Sequence, residues 1–195
     1  MYSYISGRLA EVAPSYAVID CAGVGYLLEI TVNTYTQIKD LKEAKLMVHE
    51  VVREDAHLLF GFFETTERDM FRLLLGVSGV GASTARVMLS SLTVAELREA
   101  VASQNVKRVQ SVKGIGAKTA QRIILELQDK MGGIDTLPGL GQASVANQAL
   151  KEALSALVML GFPKANVEKV LQAIVKEVPS DLSVEELIKH ALKRL

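Results

Sequence analysis

The spacing of apolar residues changes near residue 63, from short strand-like segments to a helical repeat. Before that point, segments rich in Val, Ile and Tyr are separated by turn residues, a pattern typical of strands. A short helix is expected over Thr34–Leu41, and Ala22 with Gly23 is expected to form a turn. Four strands are predicted: Tyr16–Asp20, Gly25–Thr31, Lys45–Arg53 and Ala56–Phe62. Several short strands at this spacing indicate a small β-barrel.

From Glu64 onward, apolar residues recur every three or four positions, which is the period of a helix. The first helix is expected to end before Gly76. Thr93 and Glu96 have the spacing of a capping box, in which each side chain accepts a hydrogen bond from the other residue's backbone N–H. A further helix is expected over Ala117–Met131, ended by the two glycines that follow it.

Three short helices are expected at the end of the chain. The first ends at Gly161, the second has Pro163 in its first turn, and the third begins with a capping box at Ser183 and Glu186. The stretch before them contains Gly, Ser and Pro with little charge, as linkers do. The predicted fold class is α+β with several domains: a β-barrel over 1–62, a helical module over 63–133, a linker over 134–145 and a three-helix bundle over 146–195.

Charge is balanced over the whole chain, with 22 Lys and Arg against 22 Asp and Glu, but it is unevenly distributed. Residues 1–62 hold five basic and eight acidic residues. The window 104–133 holds two acidic residues and six basic ones: Lys107, Arg108, Lys113, Lys118, Arg122 and Lys130. A local basic patch can attract a polyanion even when the net charge is zero.

Several classes of site and location are disfavoured by the sequence. Cys21 is the single cysteine, so it cannot form an internal disulfide, and it has no metal-ligand spacing with His49, His57 or His190. The first residues lack the pattern of a secretory signal, and no apolar run approaches the ~20 residues that cross a membrane. We therefore expect a cytoplasmic protein without a membrane partner, metal or cofactor.

The most informative feature is a repeat offset by 35 residues. Val77–Ala85 has the sequence VSGVGASTA, and Val112–Ala120 has the sequence VKGIGAKTA. Each copy leads into an amphipathic helix, and the expected apolar faces contain Val87, Met88 and Leu92 after the first copy and Ile123, Ile124 and Leu127 after the second. One such turn is an ordinary structural element, whereas two copies with the same flanks indicate a shared role. A structural duplication without a ligand is the alternative.

The chemistry suited to this spacing is phosphate binding. Two glycines around one apolar residue let the backbone turn tightly with no side chain in front of it, while Val80 or Ile115 inserts into the core. Because the turn precedes a helix, its unpaired backbone N–H groups and the helix dipole favour an anion. Lys118 and Arg122 would add charge beside the second site, and Lys113 flanks it. The nucleotide-binding loop GxxxxGK[ST] is absent from the sequence.

The two segments resemble helix-hairpin-helix motifs, which hold DNA backbones in many repair proteins. Together with Gly23–Tyr26 (GVGY), Val51–Ala56 (VVREDA) and the three-helix tail, they resemble the RuvA family over essentially the whole chain. That family supplies the Holliday-junction-binding subunit of a bacterial branch-migration machine. The resemblance implies a barrel of the oligonucleotide/oligosaccharide-binding (OB) type, a homotetramer on a four-way DNA junction, and a tail over 146–195 that contacts the hexameric ATPase RuvB. The RuvC resolvase is a further expected partner.

The resemblance also implies which residues contact DNA. Both hairpins carry over as backbone clamps, formed by Gly79, Val80 and Gly81 in the first and by Gly114, Ile115, Gly116 and Lys118 in the second. Ser83 stands where the first hairpin of relatives often has a lysine. The first hairpin therefore lacks that side-chain charge, and its backbone amides remain as the expected DNA contacts. Arg122 is expected beside the second hairpin.

Glu54 and Asp55 match the acidic pin of the family, and Arg53 beside them is a candidate contact to the DNA backbone. Two carboxylates at a hairpin tip would repel phosphates from a junction centre if several copies met there. On the residues alone, the alternative is a solvated turn.

The sequence favours a non-catalytic subunit that binds DNA and recruits a motor, because no nucleophile–base pair, metal cluster or phosphate loop is recognisable in it. Two alternatives remain. Helix-hairpin-helix modules also occur in DNA-repair nucleases, which need added carboxylate–metal or lysine chemistry. A barrel of this type can also bind single strands by stacking bases on aromatic side chains, but aromatic residues make up 5% of the chain and Trp is absent.

Overall fold

The computed structural model describes residues 2–135, 145–177 and 182–195. The chain divides into two compact units, Met1–Asp135 and Thr136–Leu195. The predicted linker over 134–145 begins with two residues that are helical, and its residues 136–144 lie outside the described part of the chain. The domain limits inferred from the sequence stay predictions.

The first unit begins with a closed β-barrel. Its strands are β1 (Tyr4–Ala13), β2 (Tyr16–Cys21), β3 (Val24–Ile30), β4 (Glu43–Val52) and β5 (His57–Phe62), and helix α1 (Val32–Ile38) connects β3 to β4. The strand order is β1-β2-β3-β5-β4, closed by pairing between β1 and β4. Only the β3–β5 pair is parallel among the described strands. Alternate side chains fill the interior, which closure shields from water: Ile5, Ile19, Leu28, Leu46 and Val48.

Strand β1 was not predicted from the sequence. Its period-2 pattern is interrupted by a register shift between Leu9 and Glu11 and by Gly7. A Cβ atom built on Gly7 would lie 2.3 Å from the Asp20 carbonyl oxygen, so the close approach of two strands requires glycine there. The other four strands, the helix after β3 and the turn at Ala22 and Gly23 are confirmed.

The rest of the first unit is helical. It contains α2 (Thr65–Leu75), α3 (Ala82–Ser91), α4 (Val94–Ala102), α5 (Val106–Gln110) and α6 (Ala117–Asp135). The capping box at the start of α4 is confirmed, since Thr93 and Glu96 exchange both hydrogen bonds. The predicted end of α6 near Met131 is wrong, because the helix continues through both glycines to Asp135. Glycine costs about 1 kcal/mol in a helix but does not remove a backbone hydrogen bond.

The barrel and the helices of the first unit share packed apolar surface. The ring of Phe71 in α2 lies 5.0 Å from that of Phe60 and 4.9 Å from that of Phe62, measured between centroids. These three residues belong to one buried cluster with the apolar residues of both hairpins. The hairpins are therefore mounted on a core that is continuous with the barrel.

A buried carboxylate joins the two parts of this unit. Glu67 in α2 is 5% exposed, and it accepts hydrogen bonds from the hydroxyls of Thr31 (2.6 Å) and Thr34 (2.8 Å), which are fully buried. Thr31 also caps α1 by accepting from the Thr34 N–H. Burial raises the pKa of Glu67 above its ordinary value of 4.5, and the two hydroxyl hydrogen bonds act in the opposite direction.

Replacing Glu67 with Ala is expected to lower the free energy of unfolding by about 2–4 kcal/mol, because two buried hydroxyls lose their acceptor and a cavity forms. Urea unfolding measures this loss of stability.

A Glu67→Gln variant shows how the charge of Glu67 affects stability, because it keeps the size of the side chain and cannot ionise. Since the folded-state pKa lies above 4.5, the stabilisation by the protonated form is complete below that pH and is lost as pH rises through the folded-state pKa. The stability of the wild type relative to Glu67→Gln should therefore fall from acid to neutral pH, and a constant difference would contradict this assignment.

The second unit is a three-helix bundle of α7 (Val145–Met159), α8 (Lys164–Glu177) and α9 (Val184–Leu192). Its buried residues include Leu157, Val167, Leu171, Ile174 and Leu187. The predicted helix end at Gly161 is confirmed, because that glycine has φ 100° and the Phe162 N–H donates to the Leu157 carbonyl. The capping box at Ser183 is also confirmed. No described helix in either unit is long and apolar enough to span a membrane.

Candidate nucleic-acid interface

The two repeated segments form hairpins of the same geometry. The Val80 N–H donates to the Val77 carbonyl at 3.0 Å, and the Ile115 N–H donates to the Val112 carbonyl at 3.1 Å. The third residue of each turn is a glycine with positive φ, 88° at Gly79 and 89° at Gly114. Turns of this kind require glycine at that position because a Cβ would be strained there. Local sequence therefore determines both hairpins.

The hairpins separate apolar side chains from exposed backbone. Val80 and Ile115 are buried in the core cluster, as predicted. The four glycines are exposed, and a Cβ built on any of them would meet no atom within 4 Å: Gly79, Gly81, Gly114 and Gly116. Their main-chain atoms therefore face open space, into which a ligand of phosphate size can approach.

Each hairpin leads directly into a helix. The Gly81 carbonyl accepts from the Ala85 N–H at 2.9 Å, and the Gly116 carbonyl accepts from the Ala120 N–H at 2.9 Å, so helical hydrogen bonding begins at the second glycine of each motif. No side chain caps the start of α3. The first-turn N–H groups of a helix have no intrahelical acceptor and lie at the positive end of the helix dipole. Both sites can thus donate backbone hydrogen bonds to an anion.

The predicted acidic segment lies at the tip of the β4–β5 hairpin. Arg53, Glu54 and Asp55 are all exposed, and the Arg53 N–H closes the loop by donating to the Ala56 carbonyl at 2.8 Å. The two carboxylates therefore project from a short strand connection, and Arg53 lies at its base.

Family models match three parts of the chain: the RuvA N terminal domain over residues 1–61, the SAM-like helix-hairpin-helix tandem over 71–129, and the RuvA C-terminal domain over 148–195. Similar proteins from Bacteroides thetaiotaomicron, Christiangramia forsetii and Flavobacterium psychrophilum are 46%, 48% and 45% identical to it, and each alignment covers 100% of both chains. The chain belongs to the RuvA family. Each of these RuvA relatives carries the name "Holliday junction branch migration complex subunit RuvA".

Membership of the RuvA family confirms the resemblance inferred from the order of the motifs. It also confirms the fold class, since a closed barrel of five described strands precedes a helix-hairpin-helix tandem and a helical C-terminal domain.

The RuvA tandem is asymmetric in charge. The second hairpin carries the exposed Lys113 and Lys118, whereas the first carries the exposed Ser78 and Ser83. Arg122, which was expected beside the second hairpin, is exposed on α6 and donates from Nη1 to the Ser78 carbonyl of the first hairpin at 3.3 Å. The structure therefore brings a cation of the second repeat to the tip of the first.

Helix α3, which follows the first hairpin, is fixed to the RuvA barrel by polar contacts that the sequence analysis missed. Arg86 pairs with Glu29 at 3.2 Å and donates to the Ser15 carbonyl at 3.0 Å. The Asn33 amide donates to the Leu89 carbonyl at 2.5 Å. These partners lie more than 50 residues apart in the chain, so no local pattern could have revealed them.

One expected core residue is on the other face of its helix. Val87 is 39% exposed, whereas Met88, Leu89 and Leu92 are buried. An offset of 35 residues pairs these three with Ile123, Ile124 and Leu127, which are buried as predicted, and pairs Val87 with Arg122. The apolar face after the first hairpin was thus assigned wrongly at this position.

The histidines of the barrel have ordinary structural partners. His49 packs edge-on against Phe71 and accepts a hydrogen bond from Arg72 Nε at 3.4 Å. Burial, followed by the charges of Arg72 and Arg68, lowers the pKa of His49 below its ordinary value. His57 lies 3.6 Å from Glu50. The residues that the structure describes contain no group of three or more His, Cys, Asp or Glu placed to hold a metal ion.

Proposed function

We propose that this chain binds four-way Holliday junctions through their sugar–phosphate backbone, as a subunit of a branch-migration complex. The observation that carries the proposal is the pair of hairpins whose glycines face open space at the starts of two helices. Backbone amides recognise phosphate oxygens, which every DNA sequence shares, so binding is independent of base sequence. The relatives bear the name of such a subunit, which supports the same function.

Specificity for a junction is a matter of shape. In the proposed homotetramer, four copies present paired hairpins to four duplex arms, so a cross engages surfaces that a linear duplex engages only in part. Multiple weak phosphate contacts add up only when the geometry allows them to form together. The C-terminal residues 146–195 recruit the RuvB ATPase, RuvC acts on the same junction, and the assembly is cytoplasmic. Catalysis belongs to the partners, and this chain is a non-catalytic DNA-binding subunit.

The β4–β5 tip contributes repulsion in this assembly. Glu54 and Asp55 are exposed carboxylates, and copies of them near the symmetry axis would keep phosphates away from the junction centre. Two like charges 4 Å apart repel by about 1 kcal/mol in water and by more at lower effective dielectric. Arg53 at the base of the loop offers a cation to the backbone just outside the repelled region.

A gel-shift comparison tests the proposal. Four-way junctions should bind more tightly than linear duplex of equal length, and duplex more tightly than single strands. Because phosphate contacts release counterions, log K should fall with log salt by about 0.9 per phosphate neutralised. A junction affinity that is flat across salt would refute backbone recognition.

The same experiment separates the alternatives. Preference for single strands would indicate binding by the barrel, and cleavage of labelled junction in Mg²⁺ would indicate a nuclease. Either outcome would replace the proposal.

A further inference from the structure

The two hairpins differ most at three equivalent, exposed positions. The offset of 35 residues pairs the residues of the first repeat with those of the second as follows: Ser78 with Lys113, Ser83 with Lys118, and Val87 with Arg122. All three differences remove a positive charge from the first repeat. If both hairpins bind phosphate, the first lacks every basic side chain that its own repeat could have supplied at these positions.

Arg122 reaches across from the second repeat. Its Nη1 atom lies 3.3 Å from the carbonyl oxygen of Ser78, which is next to Gly79 at the hairpin tip. A guanidinium has five N–H donors in a fixed planar arrangement, so a contact with one carbonyl leaves donors for an anion. Glu126, one turn further along α6, pairs with Lys130 at 3.6 Å, and the ion pairs of the described residues do not include Arg122.

The hydrogen bond to the Ser78 carbonyl also determines where the positive charge of Arg122 lies. A carbonyl oxygen attracts the guanidinium and places it beside the exposed tip, which contains Ser78 and Gly79. Lys113 and Lys118 already accompany the second hairpin, so Arg122 would be a third cation there. At the first hairpin, Lys130 of the same helix donates to the Gly76 carbonyl at the base of the turn at 3.1 Å, and Arg122 contacts the Ser78 carbonyl beside the glycine tip.

We propose that Arg122 is the phosphate-binding cation of the first hairpin. The second repeat of the same chain supplies it, and it takes the role that Lys118 has in the second hairpin. This inference rests on the proposed function. It makes the two hairpins interdependent, because a change on α6 alters the grip of the hairpin before α3.

A double-mutant cycle tests the assignment, with a labelled four-way junction as the probe. Gly81→Ala and Gly116→Ala each place a methyl group where a phosphate would approach one hairpin, and neither position has a positive φ or a close neighbour. Arg122→Gln should weaken junction binding by about 10-fold and reduce the salt slope by about one unit per subunit engaged. The effect of Arg122→Gln should largely disappear in the Gly81→Ala background and persist in the Gly116→Ala background.

A charge transplant provides the second measurement. Ser83→Lys recreates in the first hairpin the residue found at the equivalent position 118, so it should restore most of the affinity and the salt slope lost in Arg122→Gln. Gln121→Lys, which adds a charge at the exposed neighbouring position of α6, is the matched control and should restore less.

Each outcome decides the matter. The inference would be overturned if Arg122→Gln still weakened junction binding in the Gly81→Ala background but no longer did so in the Gly116→Ala background. That result would assign Arg122 to the second hairpin. A lowered melting temperature with an unchanged salt slope would also overturn it, because that result describes a purely structural contact. If neither glycine variant changes junction affinity, the proposed function itself fails.

Discussion

Replacing Gly116 with Asp is expected to weaken junction binding roughly 100-fold while the protein stays folded. A Cβ at this position meets no atom within 4 Å, and its φ is not in the left-handed region. Asp is also a preferred residue at the position before a helix, where its carboxylate accepts from first-turn N–H groups. The substitution therefore occupies the amides that would bind phosphate and adds a repelling charge, without straining the backbone.

The size of the effect follows from the contacts removed. A hydrogen bond to a charged group contributes about 1.5–3 kcal/mol, and each 1.4 kcal/mol is a factor of ten in affinity. Fluorescence anisotropy with labelled junction measures the loss, and thermal unfolding checks the fold. Gly116→Asn is the matched control, because it caps the helix equally well without the charge. It should bind the junction more tightly than Gly116→Asp, and this difference should be larger at low salt than at high salt, where the repulsion is screened. Unchanged binding by Gly116→Asp would remove the second hairpin from the interface.

The hairpins could be predicted because their causes are local. A glycine with positive φ, an apolar residue that inserts into the core and a helix start all lie within a few consecutive residues, as at Gly114 and Ile115. The capping boxes at Thr93 and Ser183 were predictable for the same reason.

The polar contacts between distant parts of the first unit were not predictable, since no local pattern reveals them. Glu67 accepts hydrogen bonds from the hydroxyls of Thr31 and Thr34, which are 36 and 33 residues away in the sequence. Arg122 donates to the Ser78 carbonyl, which is 44 residues away. Each involves a polar residue of a type common on surfaces, and only the packing of one element on another gives it a partner. The sequence placed Arg122 beside the second hairpin because the two are close in the chain, whereas its hydrogen bond to the Ser78 carbonyl of the first hairpin depends on tertiary packing.

Helix ends were the other weak point. The two glycines after Met131 carry the usual signal of a helix end, yet α6 continues through them. A glycine lowers the stability of a helix without determining where it stops, whereas Gly161 does end α7 because its positive φ accompanies two capping hydrogen bonds, from Gly161 and Phe162.

Deleting residues 146–195 is expected to leave junction binding within about threefold of the full chain while abolishing stimulation of the RuvB ATPase. The two buried clusters of the first unit are formed by described residues of that unit. The hairpins and the acidic tip also lie in the first unit. Junction affinity and ATPase rate, measured in parallel, separate the two roles, and retained stimulation would contradict the assignment of the tail as the motor-binding part.

A point variant in the full chain makes the same test without removing a domain. Met159 is 85% exposed and Leu160 is 63% exposed at the end of α7, whereas Leu157 is fully buried. Exposed apolar side chains of this size gain about 25 cal/mol per Å² when a partner covers them. Met159→Asp should therefore weaken the stimulation without unfolding the bundle, and Gln172→Asp, at an exposed polar position of α8, should preserve it. Equal effects of the two variants would show that the apolar surface at the end of α7 does not carry the interaction, even if the deletion abolishes it.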